Sequence, residues 1–266
     1  MTRRARLDAE LVRRGLAASR NEAKRAIASG RVTVGGAPAG RDAALVAPDE
    51  AIVVAAPPAR FVSRGGDKLE GALASMSVPV AGRLWLDAGA STGGFTDRLL
   101  QGEAKAVAAV DVGYGQLDWR LRNDPRVVVL ERTNVRNLSP SDLPWSPEGV
   151  VADLSFISLT LALPALTRVA AGTADYVLLV KPQFEVGAGS VGRAGVVRDP
   201  ALWAAAITKV VGAAGREGLA LVDAAASPLR GPAGNREFFV HLRRAAPADG
   251  APDDEAVILR AIEGAP

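Results

Sequence analysis

The sequence predicts an α/β protein: a small α+β domain at the N-terminus, then a larger domain on a mostly parallel, doubly wound sheet with an antiparallel last strand. Three observations carry that prediction. Apolar β-branched runs such as "AVAAV", "RVVVL", "GVVA" and "DYVLLV" recur between helical stretches. Strands that are continuously apolar, rather than alternating, are buried on both faces, as in a sheet covered by helices on either side. The last two runs, "LALVDAAASP" and "REFFVHLRR", are joined only by "LRGPAGN". That connection is too short for a parallel crossover, so the two pair as an antiparallel hairpin. Charge divides the chain as well: residues 1–60 hold 11 Lys and Arg against 6 Asp and Glu, whereas residues 61–266 hold 21 against 23.

The bulk composition narrows the function classes. A chain of 266 residues with 48% hydrophobic content can bury a sizeable core in one or two domains. It has no cysteine, which excludes disulfides and thiolate metal or redox sites, and its single histidine leaves little from which to build a zinc site. Residues 1–14 are rich in charge and do not read as a signal peptide. The longest apolar stretches fall well short of the ~20 residues needed to span a bilayer. A cytoplasmic protein, without metal or membrane partner, is expected.

The first sixty residues contain two short helical stripes, Leu7–Leu11–Val12 and Ala23–Ala26–Ile27. Ser19 is a good N-cap for the second helix, with Glu22 three residues on as a capping-box partner. Gly30 ends that helix, and "RVTVGG" reads as a strand entering a turn. The first 36 residues hold nine basic side chains against three acidic ones. Arg4, Arg6, Arg13, Arg14, Arg20, Lys24, Arg25 and Arg31 are therefore candidate phosphate contacts. Cations at this density give salt-dependent affinity for a polyanion, and structured RNA is read largely by shape and phosphates. The string "RLDAELVRRGLAASRNEAKRAIASGRVTVGG" resembles the S-four-like RNA-binding domain, over roughly residues 4–55. Expected boundaries are 1–58 for this domain, 59–62 for a linker that follows Pro57 and Pro58, 63–245 for the sheet domain and 246–266 for a polar tail with a short helix.

In the sheet domain, "FVSRGGDKLEGAL" is a helix carrying Lys68, and "RLWLDAG" is the first strand. "AKAVAAVDVG" is the second, ending in Asp111, and "RVVVLERTN" is the third, followed by Asn134. "GVVADLSF" is the fourth, with Asp153 at its end, and "DYVLLVKPQF" is the fifth, with Lys181 at its end. Glu237 begins the last strand. Ligands of such sheets sit beyond the carboxyl ends of the strands, and this gathers these residues at one cleft.

The turn "DAGASTGGF" is not the dinucleotide pattern G-x-G-x-x-G, which would need glycine at Thr92, and the chain has no G-x-x-x-x-G-K-[ST] loop. What remains, acid-x-Gly-x-x-x-Gly, resembles motif I of S-adenosylmethionine-dependent methyltransferases. The candidate cradle is Asp87, Gly89, Ala90, Ser91, Thr92, Gly93 and Gly94, with Asp111, Asn134 and Asp153 completing the cofactor set. Asp111 suits a pair of ribose hydroxyls, a feature that serves NAD equally well.

After the fourth strand, "ADLSFIS" stands where amine-methylating relatives often carry an N-P-P-Y-like tetrapeptide. The set Lys68, Asp153, Lys181 and Glu237 resembles the K-D-K-E tetrad of FtsJ-like ribose 2′-O-methyltransferases. Together with the N-terminal domain, "FVSRGGDKLEGAL", "LDAGASTGGFTDRLLQ", "VADLSFISL" and "LLVKPQFE" are similar to the TlyA family, once called haemolysins. Before "VSRGG" the chain has Phe61, where some members carry Trp. The resemblance implies a Rossmann-like methyltransferase domain, S-adenosylmethionine as cofactor, and 2′-O-methylation of cytidines in small- and large-subunit ribosomal RNA. It also implies the four tetrad residues as the catalytic set. A ribose hydroxyl is a poor nucleophile unless its proton leaves as it attacks. Lys181 is the candidate proton acceptor, and the other three hold it and the ribose in place; alignment alone supplies roughly 7–11 kcal/mol in such reactions.

The remaining features carry blander readings. His241, four residues past Glu237, and the pair Phe238–Phe239 read as structural. Tyr114 and Trp119 suit packing or stacking, and Arg193 and Arg198, in the loop "VGAGSVGRAGVVRDP", suit a mobile lip or phosphate contact. A monomer is expected. The competing readings are a non-catalytic RNA-binding or ribosome-assembly protein, which would bind no cofactor, and a membrane-lytic protein, for which no cationic amphipathic helix with aromatics is visible.

Overall fold

The computed structural model describes residues 4–57, 59–187, 189, 191–192, 195–244 and 253–265. Pro58, Arg193 and the expected boundary at 245–246 lie outside the described residues. The chain forms two compact units, Met1–Ala59 and Arg60–Pro266.

In the first unit, β1 (Ala5–Arg6) leads directly into α1 (Leu7–Arg13), followed by α2 (Arg20–Ala28). β2 (Val32–Val34), β3 (Ala37–Pro38), β4 (Leu45–Val46) and β5 (Ile52–Val54) follow. β1 pairs with β4, and β3, β2 and β5 form a second small antiparallel sheet. Leu7 and Leu11 from α1 meet Ala23, Ala26 and Ile27 from α2 and the strand residues Val32 and Val46. Ser19 accepts a hydrogen bond from Glu22 N, as a helix cap should. Glu22 itself reaches Ala18 N rather than Ser19 N, so the reciprocal half of the expected capping box does not form.

The second unit runs α3 (Arg64–Ser75), β6 (Leu84–Ala88), α4 (Gly94–Gln101), β7 (Ala106–Val110), α5 (Trp119–Arg122) and β8 (Val127–Leu130). It continues with β9 (Gly149–Ala152), α6 (Leu163–Val169), β10 (Asp175–Val180), α7 (Pro182–Glu185) and α8 (Pro200–Arg216). β11 (Leu219–Ala226), β12 (Phe238–Arg244) and α9 (Asp254–Glu263) complete it. The seven strands lie in the order β11-β12-β10-β9-β6-β7-β8. β8, β7, β6, β9 and β10 are parallel, and β12 is antiparallel to both β10 and β11. The chain enters at β6, builds outward to β8, then crosses back to β9. The β6–β9 border is thus the topological switch point, where a crevice opens at the carboxyl ends.

Helices cover both faces. Leu69 and Leu73 of α3 and Phe95 and Leu99 of α4 pack with Trp85 and Phe239 on one side. α6, α8 and α9 pack on the other with Tyr176 and Phe238. Fully burying a leucine or phenylalanine contributes about 1.5–3 kcal/mol, and both layers are built from such residues. α9 is not a bystander: Val257, Ile258 and Ala261 are buried in this core, and Arg260 pairs with Asp223 of β11 at 2.7 Å. At the amino end of β10, Asp175 is bound by His241 and Arg83, each at 2.7 Å, and by Arg243. Burial opposes its charge, but the hydrogen bonds from these three outweigh that and hold its carboxyl below the usual carboxylate range. His241 is therefore part of a buried ion cluster at the edge of the sheet away from the crevice. Among the described residues, no helix is long and apolar enough to cross a membrane, and no group of His, Cys, Asp or Glu could hold a metal ion.

Candidate active site

The carboxyl edge of the sheet carries two cavities that share a border. The first, of about 760 Å³, lies beyond β6, β7 and β9, and its wall includes Asp111, Val112, Gln116, Asn134, Leu154 and Ile157. The second, of about 520 Å³, lies between the amino end of α3, the turn after β6 and Lys181, and is also lined by Arg64, Lys68 and Arg230. Gly89, Ser91, Asp153 and Ser155 line both.

The turn after β6 explains the first cavity. Gly89 has φ +85°, and a Cβ there would stand 2.7 Å from the Asp153 carbonyl oxygen, so only glycine lets the β6 and β9 ends approach this closely. Ser91, also in the left-handed region at φ +48°, turns its amide onto Asp111 Oδ2 at 2.8 Å. Asp111 Oδ1 takes the Gly113 amide at 2.7 Å. The Asp111 side chain is thereby fixed on the cavity wall. Asn134 caps the short helical turn 135–137 through Arg136 N and lines the same wall.

Two expected cradle residues do other work. Asp87 is fully buried beneath the turn and lines neither cavity. Thr96 Oγ1 donates to its Oδ2 at 2.7 Å, and its other oxygen has no partner among the described residues. Burial pushes its carboxyl up to about 7, against the pull of the Thr96 hydrogen bond. Gly93, at φ +96°, faces Leu121 and Leu117, where a Cβ would collide with both side chains; it is a packing residue. Ala90, Thr92 and Gly94 line the second cavity.

The four tetrad candidates come together as two ion pairs. Lys68, on the second turn of α3, lies 2.5 Å from Glu237 Oε2, and both side chains are buried. Lys181 Nζ lies 2.5 Å from Asp153 Oδ1 and donates a hydrogen bond to Ser155 Oγ at 2.9 Å. Lys68, Asp153 and Lys181 line the second cavity, while Glu237 lies behind Lys68. Close contact between α3 and α4 delivers Lys68: a Cβ on Gly94 would meet Ser63 Oγ and Gly66 N, and a Cβ on Gly66 would collide with Phe61 Cγ and Cβ. Phe61 is buried there, with Arg60 over its ring at 4.9 Å.

The sequence places "ADLSFIS" after the fourth strand but assigns no role to Ser155 or Phe156 within it. Ser155 holds Lys181, and Phe156 is 93% exposed with φ +64°, its ring 5.5 Å from that of Phe184. Glu185, buried in α7, anchors the loop from below by accepting from Leu159 N at 2.7 Å and from the Ser158 hydroxyl. Burial raises its carboxyl pKa, outweighing those hydrogen bonds. The signal was present as the aromatic in "DLSF", but left-handed backbone at a phenylalanine cannot be read from a string. Arg198 is exposed, as are Tyr114 and Trp119.

In the first unit, Arg4, Arg13, Arg20, Lys24 and Arg25 are exposed, and so is Arg6. Arg6 and Arg20 both bind the buried Asp8, whose carboxyl the Arg6 hydrogen bond holds well below the usual range. Arg13 pairs with Glu10, and Arg31 donates to the Ala55 carbonyl. Arg14 departs from its expected use: it binds Glu10 and the carbonyls of Ala47, Pro48 and Glu50, and so fastens the unit internally.

Comparison with known proteins places this geometry. Residues 61–244 match the FtsJ-like methyltransferase family, and residues 5–52 match the S4 domain. The 16S/23S rRNA (cytidine-2′-O)-methyltransferase TlyA of Mycobacterium tuberculosis is 54% identical over the whole of both chains. Hemolysin A of Brachyspira hyodysenteriae is 37% identical, over 89% of this chain and 99% of its own. A solved structure from Streptococcus thermophilus, provisionally named a hemolysin, is 36% identical and covers 99% of this chain and 98% of its own, with a TM-score of 0.73.

Proposed function

The chain belongs to the FtsJ-like methyltransferases, as a member of the TlyA type with an S4 domain ahead of the catalytic unit, and on that premise we propose that it methylates the ribose 2′-oxygen of cytidines in ribosomal RNA. The observation that carries the reading is the shared border of the two cavities, where Asp153, Ser155 and Lys181 stand together.

S-adenosylmethionine supplies an electrophilic methyl on a sulfonium when bound. The first cavity fits it: Asp111 offers a fixed carboxylate for two vicinal hydroxyls, and Val112, Leu154 and Ile157 offer apolar surface for a purine. Gly89 lets the ligand approach the backbone, and Asn134 and Asp153 add polar contacts. Asp87 supports the turn from below. The second cavity takes the target ribose. Arg64, Lys68, Lys181 and Arg230 give it a positive wall, which attracts the flanking phosphates. In its neutral amine form Lys181 accepts the proton of the 2′-hydroxyl, Asp153 balances the ammonium so formed, and the Lys68–Glu237 pair fixes the cavity wall. The exposed arginines of the first unit and its one lysine, Lys24, hold ribosomal RNA through its phosphates. The protein works as a monomer in the cytoplasm, on ribosomal subunits or their RNA.

The test is incubation with labelled S-adenosylmethionine and undermethylated ribosomal subunits, followed by digestion to nucleosides and mass analysis. 2′-O-methylcytidine formed by the native chain and absent with Lys181→Ala supports the reading. RNA binding without transfer to any subunit or naked RNA favours an RNA-binding module instead.

A further inference from the structure

Resting on the reading of Lys181 as proton acceptor, we infer that Ser155 is a positioning residue of the reaction, the group that aims the Lys181 amine. Four observations converge on it. Ser155 lies at the border of the two cavities, where cofactor and ribose would meet. Its Oγ, 2.9 Å from Lys181 Nζ, is the one acceptor with which that amine has hydrogen-bond geometry among the described residues. The contact with Asp153 Oδ1, at 2.5 Å, is an ion pair without such geometry: that oxygen counts as unpartnered by any hydrogen bond. The loop carrying the hydroxyl is also braced, by Glu185 on Leu159 N and by the Phe156–Phe184 ring contact.

Charge and direction are thus divided between two residues. Asp153 balances the ammonium, but a carboxylate approached off-axis leaves the amine free to rotate about its last carbon bond. The hydrogen bond to Ser155 removes that freedom. One N–H points at Ser155, and Lys181 and Ser155 both line the cavity where the ribose would sit. A proton acceptor must meet the departing proton within about 2.6–3.2 Å and in line, so loss of direction lowers turnover more than it lowers affinity.

The other groups facing this amine are Asp153, the Lys68–Glu237 pair, Arg64 and Arg230 on the cavity wall, and the Phe184 ring 5.9 Å away. Ser155 is exposed, so its replacement leaves folding intact.

The experiment measures kcat, KM for RNA and KM for S-adenosylmethionine for Ser155→Ala, Ser155→Thr and Lys181→Ala. Ser155→Ala is expected to lower kcat about tenfold or more and to keep KM for RNA within about twofold. Ser155→Thr, which keeps a hydroxyl, is expected to restore most of the rate. Native kcat in Ser155→Ala, beside an inactive Lys181→Ala, would overturn the role of Ser155 alone. A raised KM for S-adenosylmethionine with unchanged kcat would overturn it too, by making Ser155 a cofactor contact. Activity retained by Lys181→Ala would overturn the reading beneath it.

Discussion

The pair Lys68–Glu237 can be tested for stability and for catalysis separately. The side chains are 8% and 1% exposed and their charged atoms 2.5 Å apart, so neither charge is balanced by water. Removing one partner strands the other, and such losses run to about 3–5 kcal/mol. Replacing both by apolar side chains of similar volume removes the desolvation penalty together with the attraction, and is often neutral or stabilising. Glu237→Gln and Lys68→Met are therefore each expected to destabilise the second unit by about 3–5 kcal/mol, and the double variant Lys68→Met/Glu237→Leu to recover most of that loss. For a unit of this size 1 kcal/mol moves the melting point by about 2–4 °C, so each single variant should melt roughly 6–20 °C lower. All four tryptophans, Trp85, Trp119, Trp145 and Trp203, lie beyond residue 60. Tryptophan fluorescence during urea or thermal unfolding therefore reports this unit alone. The double variant should be folded and yet without methyl transfer, because Lys68 is gone from the cavity wall. A Glu237→Gln variant within about 1 kcal/mol of the native chain would refute the reasoning, since a stranded buried ammonium cannot cost so little.

Asp87 gives a pH prediction. Its carboxyl holds its proton more tightly folded than unfolded, so the associated stability is full below the unfolded value near 4 and is lost as pH rises toward about 7. Asp87→Asn should gain on the native chain by up to about 4 kcal/mol between pH 4 and pH 8 in urea unfolding; parallel pH profiles would exclude the effect. In the first unit, Lys24→Ala combined with Arg25→Ala should lower RNA affinity and reduce the slope of log affinity against log salt by about 1.5–2 in filter binding. An unchanged slope would remove both residues from the phosphate contacts. Phe156→Ala should leave stability within about 0.5 kcal/mol, because the ring is exposed, and lower kcat/KM by a factor that corresponds to about 1–3 kcal/mol if the ring stacks on a base. Native kcat/KM in that variant would make the exposed ring idle.

Much of this site was legible in the string because it lies at strand ends. Asp111, Asp153 and Lys181 each close an apolar run, and strand ends at one edge of a parallel sheet must meet. Glu237 followed from the hairpin, since an antiparallel last strand begins where its parallel neighbours end. What failed to show were contacts that depend on backbone twist or distant partners. "DAGASTGGF" read as one cradle, yet Asp87 belongs to the strand and is buried, and Gly93 turns toward Leu117 and Leu121. Arg14 resembled its basic neighbours, but the carbonyls that hold it lie more than thirty residues away. Ser155 and Phe156 depend on a loop with positive φ that no propensity favours. The stripe Val257, Ile258 and Ala261 was short enough to pass for a polar tail, though it completes the core over β11.

The most direct test of the central claim is where the methyl group goes. Ribosomal RNA treated with the protein and labelled S-adenosylmethionine can be hydrolysed completely in alkali, which needs a free 2′-hydroxyl at every step. Transfer to the 2′-oxygen predicts that the label survives in an alkali-resistant dinucleotide with cytidine on its 5′ side, and that Lys181→Ala yields none. Label recovered in single nucleotides would place the methyl on a base and contradict the account.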